Sequence, residues 1–113
     1  MTITESFQHG VKVLRLSGKF DSHSRQEFQT AIGKAEQSGA RHIILNLQEV
    51  SFVDSAALGM LANMHQQLTA QGIHVNLVNP QDYVKRVLEL AKMDQYFSIH
   101  ATEEQARSSM AKA

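Results

Sequence analysis

Apolar residues alternate at the start of the chain and then take helical spacing, with short apolar runs between the helical stretches. Ile3, Glu5 and Phe7 alternate, Gln8-His9-Gly10 offers a turn, and Val11 to Ser17 forms a second extended run, the pattern of a β-hairpin. Gly18-Lys19-Phe20-Asp21-Ser22 ends it. Asp21 or Ser22 can cap the next helix, whose apolar stripe is Phe28, Ala31, Ile32 and Ala35 and whose stop signal is Ser38-Gly39. A third strand over Arg41 to Leu47 is rich in branched residues, as expected of a strand covered on both faces. In the following helix Leu58, Leu61, Ala62, His65 and Leu68 recur with the period of a one-sided helix, which ends near Gln71-Gly72.

Ile73, Val75 and Leu77 alternate with His74, Asn76 and Val78, giving a fourth strand with one less apolar face. Asn79-Pro80 then starts a helix carrying Val84, Val87, Leu88 and Ala91. Tyr96 to Ile99 supplies a short last strand, and Thr102-Glu103-Glu104-Gln105 is a capping box for a C-terminal helix. The order is β-β-α-β-α-β-α with a further β-α at the end. It predicts an α/β fold: a mixed, mostly parallel sheet of about four or five strands, an N-terminal hairpin and about four helices with right-handed crossovers. Such sheets gather functional residues at the carboxyl ends of their strands. Three ends are available, Gly18 to Ser22, Gln48 to Ser55 and Asn79-Pro80, so Asp21, Asp54, Ser55 and Asn79 are expected along one rim.

Ser55 stands where the third strand gives way to a helix. With Asp54 as N-cap, Val53 at N′ and Leu58 at N4 form a hydrophobic staple, and capping alone accounts for the aspartate. The same placement exposes the Ser55 hydroxyl beside free amides and the positive end of a helix dipole, where a phosphate is welcome. On the residues alone both readings stand. Catalysis has less support: a serine nucleophile needs an adjacent base, and the nearest histidine, His65, falls on the apolar stripe. No G-x-S-x-G elbow is present. At 100° per residue, Ala56, Met60, Asn63 and Gln67 fall opposite the Leu58/Leu61/His65 stripe, with Met64 at its border. Together with the small Gly59, they make a candidate partner surface.

Composition narrows the classes further. With 113 residues and 42% hydrophobic residues, the chain fits one domain over residues 1–113 with one core. Eleven basic and eleven acidic residues cancel, so no overall positive field draws nucleic acid. The absence of cysteine removes thiol chemistry. The six histidines are scattered without metal-ligand spacing, and no glycine-rich phosphate loop occurs, so no metal or cofactor is expected. The opening residues lack signal-peptide character and no apolar stretch approaches a membrane span. A cytoplasmic protein without membrane insertion is expected.

Asp54-Ser55-Ala56-Ala57-Leu58-Gly59-Met60-Leu61 resembles the pattern Asp-Ser-(Ser/Thr/Ala)-Gly-(Leu/Ile)-Gly-x-Leu of STAS domains of the anti-sigma-factor antagonist type. Leu16-Ser17-Gly18-Lys19-Phe20-Asp21, the Asp–Ser loop after Ile44-Leu45-Asn46-Leu47, and Asn79-Pro80 leading into Val87-Leu88-Glu89-Leu90 with Met93-Asp94 and Phe97 support the likeness, in the family's order and spacing. The resemblance implies a STAS fold and a partner-switching regulator rather than an enzyme. Ser55 is then the phosphoacceptor, with Asp54 its neighbour and Asp21 a second aspartate on the rim; the partner surface is Asp21, Asp54, Ser55, Ala56, Met60, Asn63 and Met64. The implied partners are an anti-sigma factor or related serine kinase, released on phosphorylation, and a metal-dependent PPM-type serine phosphatase that restores binding. Ala57 stands where the family usually has glycine, which implies a methyl group in the path of a kinase loop. Lys19, where many relatives carry glutamate, makes the rim less acidic. The alternative implied by resemblance is a STAS subunit docked constitutively on a lipid-transport ATPase. A third class, a receiver-like phosphoaspartate protein, needs an acidic cluster and a lysine that the chain does not offer.

Overall fold

The computed structural model describes the backbone of residues 1–111 and the side chains of residues 1–110. Strands β1 (Thr2–Gln8) and β2 (Val11–Phe20) form the predicted antiparallel hairpin. Its two-residue turn, His9-Gly10, has positive φ at both positions, matching the right-handed twist of the flanking strands. Parallel pairings add β3 (His42–Val53), β4 (His74–Val78) and β5 (Ser98–His100), giving one five-stranded sheet in the order β1-β2-β3-β4-β5. The mixed, mostly parallel α/β architecture predicted from sequence is the one observed.

Helices α1 (Arg25–Gln37), α2 (Ser55–Thr69) and α3 (Asp82–Leu90) contribute to one apolar cluster with the sheet residues Leu14, Leu16, Ile43, Leu45, Leu47 and Leu77. The stripe expected on α1 is the one that is buried: Phe28, Ala31, Ile32 and Ala35. Phe28 lies 5.0 Å, centroid to centroid, from Phe20 at the end of β2. Helix α4 (Glu103–Ala111) joins a second, smaller cluster made of Val11, Val13, Ile44, Val78 and Ala106. Consecutive side chains of a strand point to opposite faces, so Leu14 and Ile43 serve the first cluster while Val13 and Ile44 serve the second. The last capping box forms with a small offset: the Gln105 N–H donates to Thr102 Oγ1 (3.1 Å), while the Gln105 side chain accepts from the Ala101 N–H rather than that of Thr102.

Two strands run farther than their hydrophobic runs suggest. β3 continues through Gln48-Glu49-Val50-Ser51-Phe52 to Val53, and β2 continues to Phe20, with register shifts between Arg15 and Ser17 and between Gly18 and Lys19. The extensions pair with each other, Gly18 with Val50 and Phe20 with Val53. Gln48 to Val53 is therefore not the loop that the sequence suggests.

Candidate functional site

The extended β2–β3 pair carries two aspartates to adjoining positions. Asp21 follows Phe20 and Asp54 follows Val53, paired residues, and the Asp54 N–H donates to the Phe20 carbonyl (3.4 Å). Each aspartate has extended backbone and caps the turn ahead of it: Asp21 Oδ1 accepts from the His23 N–H at 2.9 Å in the 3-10 turn Ser22–Ser24 that leads into α1, and Asp54 Oδ1 from the Ala57 N–H at 3.0 Å in α2. The Asp21 cap is reciprocal, because the Ser24 hydroxyl accepts from the Asp21 N–H (3.1 Å) and donates to the Lys19 carbonyl (3.0 Å). His23 Nδ1 lies 3.6 Å from Asp21 Oδ1. Both carboxylates are thus oriented by backbone amides, Asp21 in the turn that precedes α1 and Asp54 at the amino end of α2, where the helix dipole favours negative charge.

Ser55 is the first residue of α2 and is exposed. With Asp54 committed to the Ala57 amide, the Ser55 hydroxyl stands beyond the cap. It continues into an exposed ridge of Gly59, Ala62, Asn63 and Gln66, with Ala56 half-buried beside it. Phe52, two residues before Asp54, keeps 36% of its surface exposed. Its place in an alternating polar–apolar stretch, Glu49 to Phe52, was the available signal, and that stretch reads as a loop in sequence.

Three expectations for this region are corrected by the structure. Met60 and Met64 are not on the outer face: they are 4% and 3% exposed, and the buried stripe of α2 is Ala57, Met60, Leu61, Met64 and Leu68. Both methionines line a groove of about 290 Å³ between α1 and α2, with Phe28 and Ile32 opposite and Asn63 at its edge. Leu58 and His65 are half-buried and Ala62 is exposed, so the true stripe is rotated from the expected one. His65 packs its ring edge-on against Phe97 (5.2 Å) and near Tyr96 (5.4 Å). Second, the Ala57 side chain is wholly buried in the core cluster, so its methyl group faces inward and leaves the approach to Ser55 clear. Third, Asn79 does not share the rim. It follows Val78, the partner of Asn46, whereas Asp54 lies several residues farther along β3. Asn79 takes a left-handed turn conformation, with its N–H donated to the His100 carbonyl (2.8 Å).

Among the described residues no group of three His, Asp or Glu side chains could hold a metal ion, and no helix is long and apolar enough to cross a membrane. What the rim offers is a fixed, acidic, hydroxyl-bearing surface.

Residues 3–106 match the STAS domain family, and the chain belongs to it. It is 32% identical over 95 residues to an anti-sigma F factor antagonist of Lysinibacillus sphaericus, covering 83% of this chain and 80% of that protein. Among solved structures it resembles the anti-sigma factor antagonist SpoIIAA in its unphosphorylated form, with a TM-score of 0.81 at 26% identity over 99% of this chain and 98% of that one. It also resembles the Bacillus cell fate determinant SpoIIAA in its phosphorylated form, with a TM-score of 0.73 at 26% identity over 96% and 99% of the two chains.

Proposed function

We propose that the chain is an anti-sigma-factor antagonist that works by partner switching: it binds an anti-sigma factor or related serine kinase while Ser55 is unmodified and releases it when Ser55 is phosphorylated. The observation that carries this reading is the exposed Ser55 hydroxyl at the first position of α2, set beyond a capping Asp54, in a STAS chain whose relatives include named anti-sigma factor antagonists. The binding surface in this reading comprises Asp21, Asp54, Ser55, Ala56 and Asn63, extended by Gly59 and Ala62. Met60 and Met64 act from beneath it, as the packing that fixes α2. A PPM-type serine phosphatase resets the switch. The chain itself contributes recognition and a phosphoacceptor, not catalysis, and its place of action is the cytoplasm.

The electrostatics of the switch follow from the caps. Phosphorylation adds about −1.5 to −2 charges at a position already flanked by Asp54. In the free protein that charge is solvated and meets the positive end of α2. In a complex it must be stripped of water, and an uncompensated ion then costs several kcal/mol. The charge therefore acts on binding and leaves the fold in place. Incubation with the cognate kinase and ATP, followed by mass-spectrometric mapping, should place the phosphate on Ser55 and none on a Ser55→Ala variant. Equal phosphorylation of that variant overturns the assignment.

A further inference from the structure

On the sheet face covered by α4, the apolar contacts are few and titratable groups lie at both ends of the helix. At its amino end Glu103 receives a two-pronged contact from Arg15 (3.1 and 2.9 Å) and the Asn46 amide (2.7 Å). Burial pushes the Glu103 carboxyl up, but the hydrogen bonds from Asn46 and Arg15, with the charges of Arg15 and Arg107, outweigh it and hold the group below the usual carboxylate value. Toward the carboxyl end, Arg107 and Met110 border a cavity of about 410 Å³ shared with His9, Val11 and His42. His42 and His74 are register partners on β3 and β4, and their rings stack at 5.2 Å with 24° between planes. His42 Nδ1 is buried with no hydrogen-bond partner. Among the described residues, the charged or titratable groups placed about His42 are basic: His74 stacked on it from β4, its chain neighbour Arg41, and His9 and Arg107 lining the same cavity from the hairpin turn and α4. Burial first, then His74 and Arg41, hold its pKa below the ordinary imidazole value. On β5, His100, the register partner of Val78, also has a buried ring nitrogen, Nε2, without a partner.

We propose that α4 is an acid-released cover over the second face of the sheet, opening while the face under α1, α2 and α3 stays folded. Protonating His42 gives a buried N–H no acceptor among the described residues and sets a positive charge against His74 and Arg41, in a cavity that Arg107 of α4 also lines. The sign is fixed by linkage: a base whose pKa is lowered by folding binds fewer protons when folded, so its contribution is complete above the unfolded value and falls as the pH drops below it. Glu103, an acid lowered by folding, acts in the same direction in the next pH window down. Releasing α4 frees Glu103 and opens the cavity beside His42 to water, and the helix is short, with Ala106 alone fully buried among its described side chains. Its release uncovers Val11, Val13, Ile44 and Val78. The Ser55 ridge, on the opposite helix layer, is untouched.

Hydrogen exchange of the full chain at pH 7.5 and pH 5.5, expressed as protection factors so that intrinsic exchange cancels, tests this directly. Protection of the α4 amides should fall by about threefold or more on acidification, with a ceiling of about tenfold for a single imidazole, while that of α2 stays within about twofold. His42→Phe keeps a flat ring against His74 but cannot charge, and should abolish most of the fall. Should that variant not fold, His74→Phe, at an exposed position, should reduce it. The proposal is overturned if α4 protection does not change, if α4 and β3 lose protection together, or if the fall persists undiminished in the variants.

Discussion

Three helices cover one face of the sheet, and nearly all that they bury is apolar; one nine-residue helix covers the other, held by an Arg15–Glu103–Asn46 cluster over a handful of branched side chains. The first face fixes the amino ends of α1 and α2 side by side, because Phe20, Phe28, Val53, Ala57 and Met60 share one cluster with the strands that end there. That rigidity positions Asp21, Asp54 and Ser55. The second face is held by groups that titrate. On the proposed reading, the molecule separates a surface switched by covalent charge from a face whose cover responds to protons.

A charge buried in the rigid face does the most damage. Met60→Glu puts a carboxylate against Phe28 and Ile32 in the α1–α2 groove, where Arg25 is the one cation among the lining residues, and should destabilise the protein by about 3 kcal/mol in denaturant unfolding. A thermal midpoint near wild type would return Met60 to the surface. Asp54→Ala removes the cap of α2 and leaves the Ala57 amide unpaired. About 1 kcal/mol should be lost, together with the fixed orientation of the first turn.

On the other face Glu103→Gln should cost less, about 0.5–1 kcal/mol, because Arg15 and Glu103 are both partly solvated. Its signature is in pH rather than size. The ionised Glu103 contributes stability above the usual carboxylate range and loses it as the pH falls through its lowered value, so the variant should show a flatter acid limb. An unchanged acid limb would mean that the cluster does not hold α4. The smallest effect belongs to Ser55→Asp, where attraction to the α2 dipole and repulsion from Asp54 oppose each other in solvent. Stability should stay within about 1 kcal/mol of wild type.

The order of elements, the caps and the α1 stripe were legible in sequence because each rests on neighbours a few residues apart. The phase of α2 was not. Leu61 and Leu68 belong both to the expected stripe and to the observed one, and a helix carrying Ala, Leu, Gly and Met on most sides leaves the choice to tertiary packing. Phe28 and Ile32 of α1 decide it by meeting Met60 and Met64. The polar alternation of Glu49 to Phe52 concealed the strand extension that sets Asp21 beside Asp54, and Asn79 was misplaced for the same reason. The Glu103 contacts and the His42–His74 stack join elements remote in sequence and depend on register, which no local pattern carries. Ser55 itself was found through its position after a capping aspartate, and the structure keeps that position.

Partner switching at Ser55 is tested most directly by one affinity comparison. The anti-sigma factor kinase of the same cell is titrated with the unmodified chain and with the chain phosphorylated on Ser55. The phosphorylated form should bind at least about tenfold more weakly, a difference of ~1.4 kcal/mol, with its far-ultraviolet spectrum and thermal midpoint unchanged. Equal affinity of the two forms would contradict the switch and leave the exposed serine as an ordinary first-turn residue.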